Sequence, residues 1–303
     1  MEFTGPPPLA NAPFPQTRAL SGTIPALPAQ LLHACRPCAR PLGRIPGGSF
    51  THHRGRKRPV ATQLLIYENA VPVSRARHSS WSVEVGADYG FCRSVNSVPL
   101  MAVEMPQAAR EYPIVFAGTG EQIMPAVILG LRGNENLYLK TDGRWDGDYL
   151  PAFVRRYPFV FSSSDDGTKF TLCIDESFAG FNQSAKGARL FDDEGKASGY
   201  VENVLKFLQE NQNQFRVTQA FCKHVSSLGL LEPMQAEVTL ASGEKSALAG
   251  FMAVNRDKLK ALTGEQFAAL AKTDELELVY LHLQSLRNFE RLKNRLAAVA
   301  KAA

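Results

Sequence analysis

The sequence lacks a long apolar run. The longest candidate, Ile123 to Leu131, is nine residues and contains Pro125. A bilayer span needs about 20 residues, so no integral membrane segment is expected. Also missing are the short motifs that announce a reaction. There is no G-x-S-x-G, no H-E-x-x-H, no P-loop and no G-x-G-x-x-G, which removes the usual grounds for assigning a hydrolase, a metalloprotease or a nucleotide-binding enzyme. "AGTG" at 117–120 is too short for a phosphate loop and reads as a hairpin turn.

Acid is scarce at the front of the chain. Residues 1–60 hold eight basic residues and one acid, Glu2. The formal net charge of +5 therefore belongs to this leader, because residues 61–303 carry 26 basic against 28 acidic residues. A protein that neutralises many phosphates needs a basic footprint. The body has none, so no nucleic-acid partner is expected.

The leader (1–60) holds eleven of the nineteen prolines and shows no helical or strand periodicity. Such sequence buries too little apolar surface to offset ordering entropy, and it is read as disordered. Three readings are open for its role. An Arg-rich, acid-poor leader is transit-like, whereas prolines interrupt the apolar stretch that a secretory signal needs. His33, Cys35, Cys38, His52 and His53 approach a zinc-finger spacing, but the tandem histidines break its second half. The third reading is a start-codon artefact, with upstream sequence ahead of a true start near Val60, Leu64 or Leu65. Patterned sequence begins abruptly at Gln63–Tyr67, which favours it.

The body (61–303) has 45% hydrophobic residues over the whole chain to draw on and reads as one α+β domain. A strand followed by a Pro-containing turn is expected over 63–74, and strands at 81–86, 112–118, 124–131 and 136–140, with a turn at Asp142-Gly143. Next come two hairpins, 159–163 with 170–176 and 234–240 with 246–254. In 81–86, Trp81, Val83 and Val85 alternate with Ser82, Glu84 and Gly86, as in a half-buried strand. Helical spacing begins after Ser198, a candidate N-cap, and recurs from Phe221 to Leu228, with Gly229 as the C-terminal stop. Asp257 to Ala271 reads as helix in two pieces around Thr263-Gly264. Val279, Leu283, Leu286, Phe289, Leu292, Leu296 and Val299 then mark a long amphipathic C-terminal helix. Its charged, alanine-ended tail is a candidate contact for a protein partner. Strands first and helices later argue a mixed, mostly antiparallel sheet core with several packed helices.

Candidate chemistry is sparse. Cys222 and His224 look like a nucleophile and base, but two positions on one helix diverge by about 160°. Cys222 is read as a small buried hydrophobe. Asp175 and Glu176 end a strand and point to opposite faces, against a paired acid–base role. Asp142, Asp146 and Asp148 lack the calcium-loop pattern. No catalytic residue, metal or cofactor is expected. The remaining feature is "YLPAFVRRYPFVF" at 149–161. On a short helix, Leu150, Phe153, Val154 and Tyr157 share an apolar stripe, with Arg155 and Arg156 on the polar side. Arg155 and Arg156, aided by Trp145 and Tyr149, are the candidate anion or partner contact.

With the body laid out, the chain resembles the SapC family of bacterial proteins, named for the surface layer, from about Gln63 to Phe289. The resemblance is carried by "AVPVSRARHSSWSVEV" (70–85), "EYPIVFAG" (111–118), "LRGNENLYL" (131–139) and "YLPAFVRRYPFVF" (149–161). It continues through "LLEPMQAEVTL" (230–240), "LAGFMAVNRDKLKAL" (248–262) and "DELELVYLHLQSLRNFERL" (274–292). It implies a non-enzymatic structural or accessory protein of the surface layer, at the cell surface or envelope, and brings no catalytic residues with it. The leader has no counterpart in the family pattern. Lack of a recognisable secretory signal favours the cytoplasm instead, and with it a soluble ligand-binding or enzyme-accessory protein.

Overall fold

The computed structural model describes residues 65–164, 169–239 and 245–302. The leader and the readings placed on it lie outside them, as do the two hairpin turns.

The first half of the chain supplies β1 (Ala70–Pro72), α1 (Arg75–His78), β2 (Ser82–Val83), β3 (Ser97–Pro99), α2 (Met105–Ala108), β4 (Ile114–Ala117) and β5 (Met124–Ile128). Then follow α3 (Ala152–Arg155), β6 (Phe159–Ser163), β7 (Phe170–Asp175), β8 (Phe181–Asn182) and β9 (Ala188–Arg189). The second half holds α4 (Gly199–Ser227), β10 (Leu231–Thr239), β11 (Lys245–Val254), α5 (Arg256–Lys260), α6 (Gly264–Lys272), α7 (Glu275–Ser285) and α8 (Asn288–Ala302). The fold is α+β. All strand pairings are antiparallel, and a long C-terminal helix closes the chain.

Among the described residues the strands form three sheets, ordered β10-β11-β4-β5-β3, β1-β7-β6 and β8-β2-β9. The apolar runs 114–117 and 124–128 are fully buried because they lie inside the five-stranded sheet. Gly118 makes the turn between them at φ +111, and a Cβ there would strike the Gln122 carbonyl. This sheet packs against α4 and α7 around Phe116, Phe221, Phe251 and Val279. A second cluster joins the two small sheets to the first half of α4 through Val83, Phe159, Ile174, Leu190, Val201 and Leu208. α4 spans both clusters.

Several local expectations shift. The two helical stretches around 201–208 and 221–228 are one helix of 29 residues, because the residues between them include good helix formers and neither proline nor glycine. Its ends are as read: Ser198 Oγ accepts the Val201 amide, and Gly229 follows at φ +67. The 81–86 strand shrinks to Ser82–Val83. Both residues are buried because β2 is the middle strand of its sheet, and Val85 is left exposed. No strand forms at 136–140; Asn136 takes the Tyr138 amide with its side chain, and a single bridge, Leu139 to Trp145, closes around Gly143. The C-terminal periodic run is helical but is interrupted by a turn at Leu286–Arg287.

Buried polar groups hold these parts together. His282 is fully buried on α7. Its Nδ1–H donates to the Ile114 carbonyl (2.9 Å), and its Nε2 accepts the Val254 amide (3.0 Å). One turn later Ser285 Oγ accepts the Ile114 amide, and Asn288 Nδ2 donates to the carbonyls of Ala109 and Tyr112. This polar ladder fixes the C-terminal helices to residues 109–114. In the other cluster, Asp175 accepts the amides of Glu68, Asn69 and Ser177. Beside it, Glu176 bonds the buried His78 (2.9 Å) and Arg77.

Candidate functional site

The candidate contact sits in the segment 145–157, which two buried carboxylates hold from behind. Glu104 Oε1 accepts the Ala152 amide and the Tyr149 hydroxyl, both at 2.7 Å, and its Oε2 accepts the Met101 amide. Glu111 Oε2 accepts the amides of Asp148 (2.9 Å) and Tyr149 (3.2 Å). A side chain at Gly147 would run into Glu111 and the Tyr112 hydroxyl, so glycine is needed where the backbone passes them. Pro151 then starts α3, which buries Ala152, Phe153 and Val154 and ends at Arg155.

The two arginines diverge. Arg155 is exposed, with its guanidinium 5.9 Å from the Tyr149 ring centroid and 5.6 Å from that of Phe207 on α4. Arg156 is half-buried and lies 4.3 Å from the Phe153 ring and 5.8 Å from the Tyr67 ring. Trp145 turns inward: its Nε1–H donates to the Tyr112 hydroxyl (3.0 Å) and the Tyr149 carbonyl (3.1 Å). Of the four expected residues, only Arg155 and Tyr149 meet at the surface.

The phenols here are donors, with little capacity as bases. Burial, then the charge of Glu104, pushes the Tyr149 hydroxyl well above its ordinary range, with Arg155 opposing. Burial likewise carries Tyr67 up to about 12, against the pull of Arg156. Arg155 is therefore a fixed positive charge on aromatic support, suited to a carboxylate or another anion.

The other candidates are committed to the fold. Burial pushes the Cys222 thiol to about 12, and the His224 Nδ1 faces Glu275 at 2.5 Å, away from any thiol role. Burial holds the His282 pKa down at about 4, and both its ring nitrogens are bonded to backbone. Asp175 and Glu176 point to different partners, as their strand positions require. Burial works against ionising Asp175, but the Ser177 hydroxyl and three backbone amides more than offset it and keep the carboxyl below its usual range. Asp142 pairs with Arg144, while Asp146 pairs with Arg295. Among the described residues, no group of three or more His, Cys, Asp or Glu could hold a metal ion, and no helix is long and apolar enough to cross a membrane.

A family model described as SapC matches residues 73–292. The chain belongs to the SapC family. The matched span includes Glu104, Glu111, Tyr149, Arg155 and His282 and stops before Arg295. Comparisons with curated proteins and with solved structures found no match.

The sequence reading missed Glu104, Glu111, Arg295 and the polar ladder. The available signal was the lone acid inside an apolar stretch, "MAVEMP" and "REYPIVF", and the polar residues at steps of three on an apolar helix face. A lone buried acid needs partners, and here the partners are backbone amides that only the fold brings near.

Proposed function

We propose that this SapC-family chain is a non-enzymatic structural or accessory protein of the bacterial surface layer or its assembly, and that it works by docking a protein partner. The observation that carries this reading is Arg155. Glu104, Glu111, Asp175, His78 and His282 are buried and bonded within the fold. Arg155 stands at the surface, braced by Tyr149 and Phe207. An exposed arginine on aromatic support is a common anchor at protein interfaces. The outer part of α8 is a second contact in this proposal.

Fractionation of cells making the native protein tests the reading, followed by capture of envelope partners with wild type and with Arg155→Ala. Wild type is expected to retain an envelope protein, and R155A to lose it while keeping its stability within about 0.5 kcal/mol. A protein confined to the cytosol with no envelope partner would overturn the reading.

A further inference from the structure

Residues 287–302 carry five basic residues against one acid, Glu290, where residues 61–303 as a whole carry 26 against 28. Two of the five are committed to carboxylates. Arg295 donates to Asp146 Oδ2 at 2.6 Å, and Lys293 lies 3.7 Å from Glu290. Arg287 and Arg291 are exposed and take no carboxylate among the described residues.

A third arginine joins them. Asn288 bonds the carbonyls of Ala109 and Tyr112, which lays the start of α8 along residues 109–112. Arg110 stands between those two anchors, exposed and likewise without a carboxylate among the described residues. Backbone carbonyls hold two of the three guanidinium groups. Arg291 Nη1 donates to the Arg110 carbonyl at 3.4 Å, and Arg287 Nε donates to the Gln284 carbonyl at 3.3 Å. A guanidinium has five N–H donors, so each keeps most of its fork for a ligand while its side chain is already positioned. Like charges gathered without a counter-ion repel, and an anion seated among them removes that cost.

The surroundings select the anion. A nucleic acid or an anionic membrane spreads its charge over a wide face, and the slightly acidic remainder of 61–303 has no basic face to follow it. A short run of carboxylates needs only the three forks, whose planar geometry matches carboxylate oxygens. The chain's own acidic turn, Asp192-Asp193-Glu194, is a poor occupant, because Asp193 pairs with Arg189 and Glu194 with Lys196. We propose that Arg110, Arg287 and Arg291 form a docking site for an acidic segment of a protein partner. The proposal rests on the partner role given above to α8 and names the chemistry of that contact.

Full-length protein tests it, with a fluorescein-labelled hexaglutamate peptide read by anisotropy. Wild type is expected to bind, with affinity falling as salt is raised. R110E/R287E/R291E is expected to unfold at the wild-type urea midpoint, since all three side chains are exposed. It is expected to bind the peptide at least about tenfold more weakly. No binding by wild type would overturn the proposal. So would equal binding by wild type and R110E/R287E/R291E, which would put the peptide on the eight basic residues of 1–60 instead. Binding of wild type to phosphatidylglycerol vesicles and not to the peptide would overturn it in favour of a membrane. Should the triple variant fail to fold, Arg287→Ala and Arg291→Ala decide. Each is expected to weaken binding, and unchanged affinity in both would contradict the site. Capture with Arg155→Ala reads the partner role separately, so a failed peptide leaves that role standing.

Discussion

Two joints of the molecule, one in each cluster, are held by different chemistry. Around the five-stranded sheet a neutral set on the C-terminal helices, His282, Ser285 and Asn288, reaches backbone atoms of residues 109–114 and 254, beside the charged Arg295 and the carboxylates Glu104 and Glu111. Around the small sheets the holding groups are carboxylates, with Asp175 and Glu176 gripping residues 68–78. A neutral imidazole with both nitrogens engaged fails when it gains a proton. A carboxylate that accepts several amides fails only when its own charge is titrated. Acid should therefore loosen one region of the molecule before the other.

The largest break in that comparison is His282→Ala. It leaves the Ile114 carbonyl and the Val254 amide unpaired in the core and removes the ring packed 4.9 Å from Phe116. Urea unfolding should show a loss of about 4 kcal/mol. Asp175→Ala comes next, at about 3 kcal/mol in the same assay, because three backbone amides lose a charged acceptor.

The pH dependence of stability should show both windows. In the fold His282 titrates at about 4, against an ordinary value of 6.5. Between those values the unfolded chain binds the extra proton, so stability falls as pH drops below about 6.5 and levels off near 4. The loss sums to about 3 kcal/mol. Asp175 and Glu176 are held below the ordinary carboxylate range. Their contribution is therefore present above that range and lost only below it. H282A should remove the upper window alone, and D175A should reduce the lower one. Equal slopes in wild type and H282A between pH 6.5 and 4 would count against the assignment.

Cysteine labelling sharpens the same contrast. Burial pushes Cys92 and Cys222 to about 12, so neither should react with a thiol reagent at pH 8 until the five-stranded sheet region opens. Mass mapping of the labelled sites would show it. The smallest effect belongs to Arg155→Ala, within about 0.5 kcal/mol of wild type, since its guanidinium is exposed.

Local pattern made much of this fold legible. The apolar runs at 114–117 and 124–128, the two hairpins, the Ser198 cap and the separate faces of Phe153 and Arg155 all follow from spacing and turn residues. Contacts between distant segments did not show. The helix break at 286–287 lies between Ser285 and Asn288, which bond residues more than 170 positions away. Glu104 and Glu111 read as stray acids until the fold brings residues 148–152 to them. Arg155 and Arg156 are adjacent in sequence, and only the packing of Phe207 and Tyr67 shows that they serve different surfaces.

Residue-resolved amide exchange at pH 7 and pH 5, corrected for intrinsic rates, tests the two-chemistry account most directly. The Ile114 and Val254 amides bond the ladder, and the Glu68 and Asn69 amides bond Asp175. The account predicts that Ile114 and Val254 lose protection at pH 5 while Glu68 and Asn69 keep theirs. Simultaneous loss, or loss at Glu68 and Asn69 first, would contradict it.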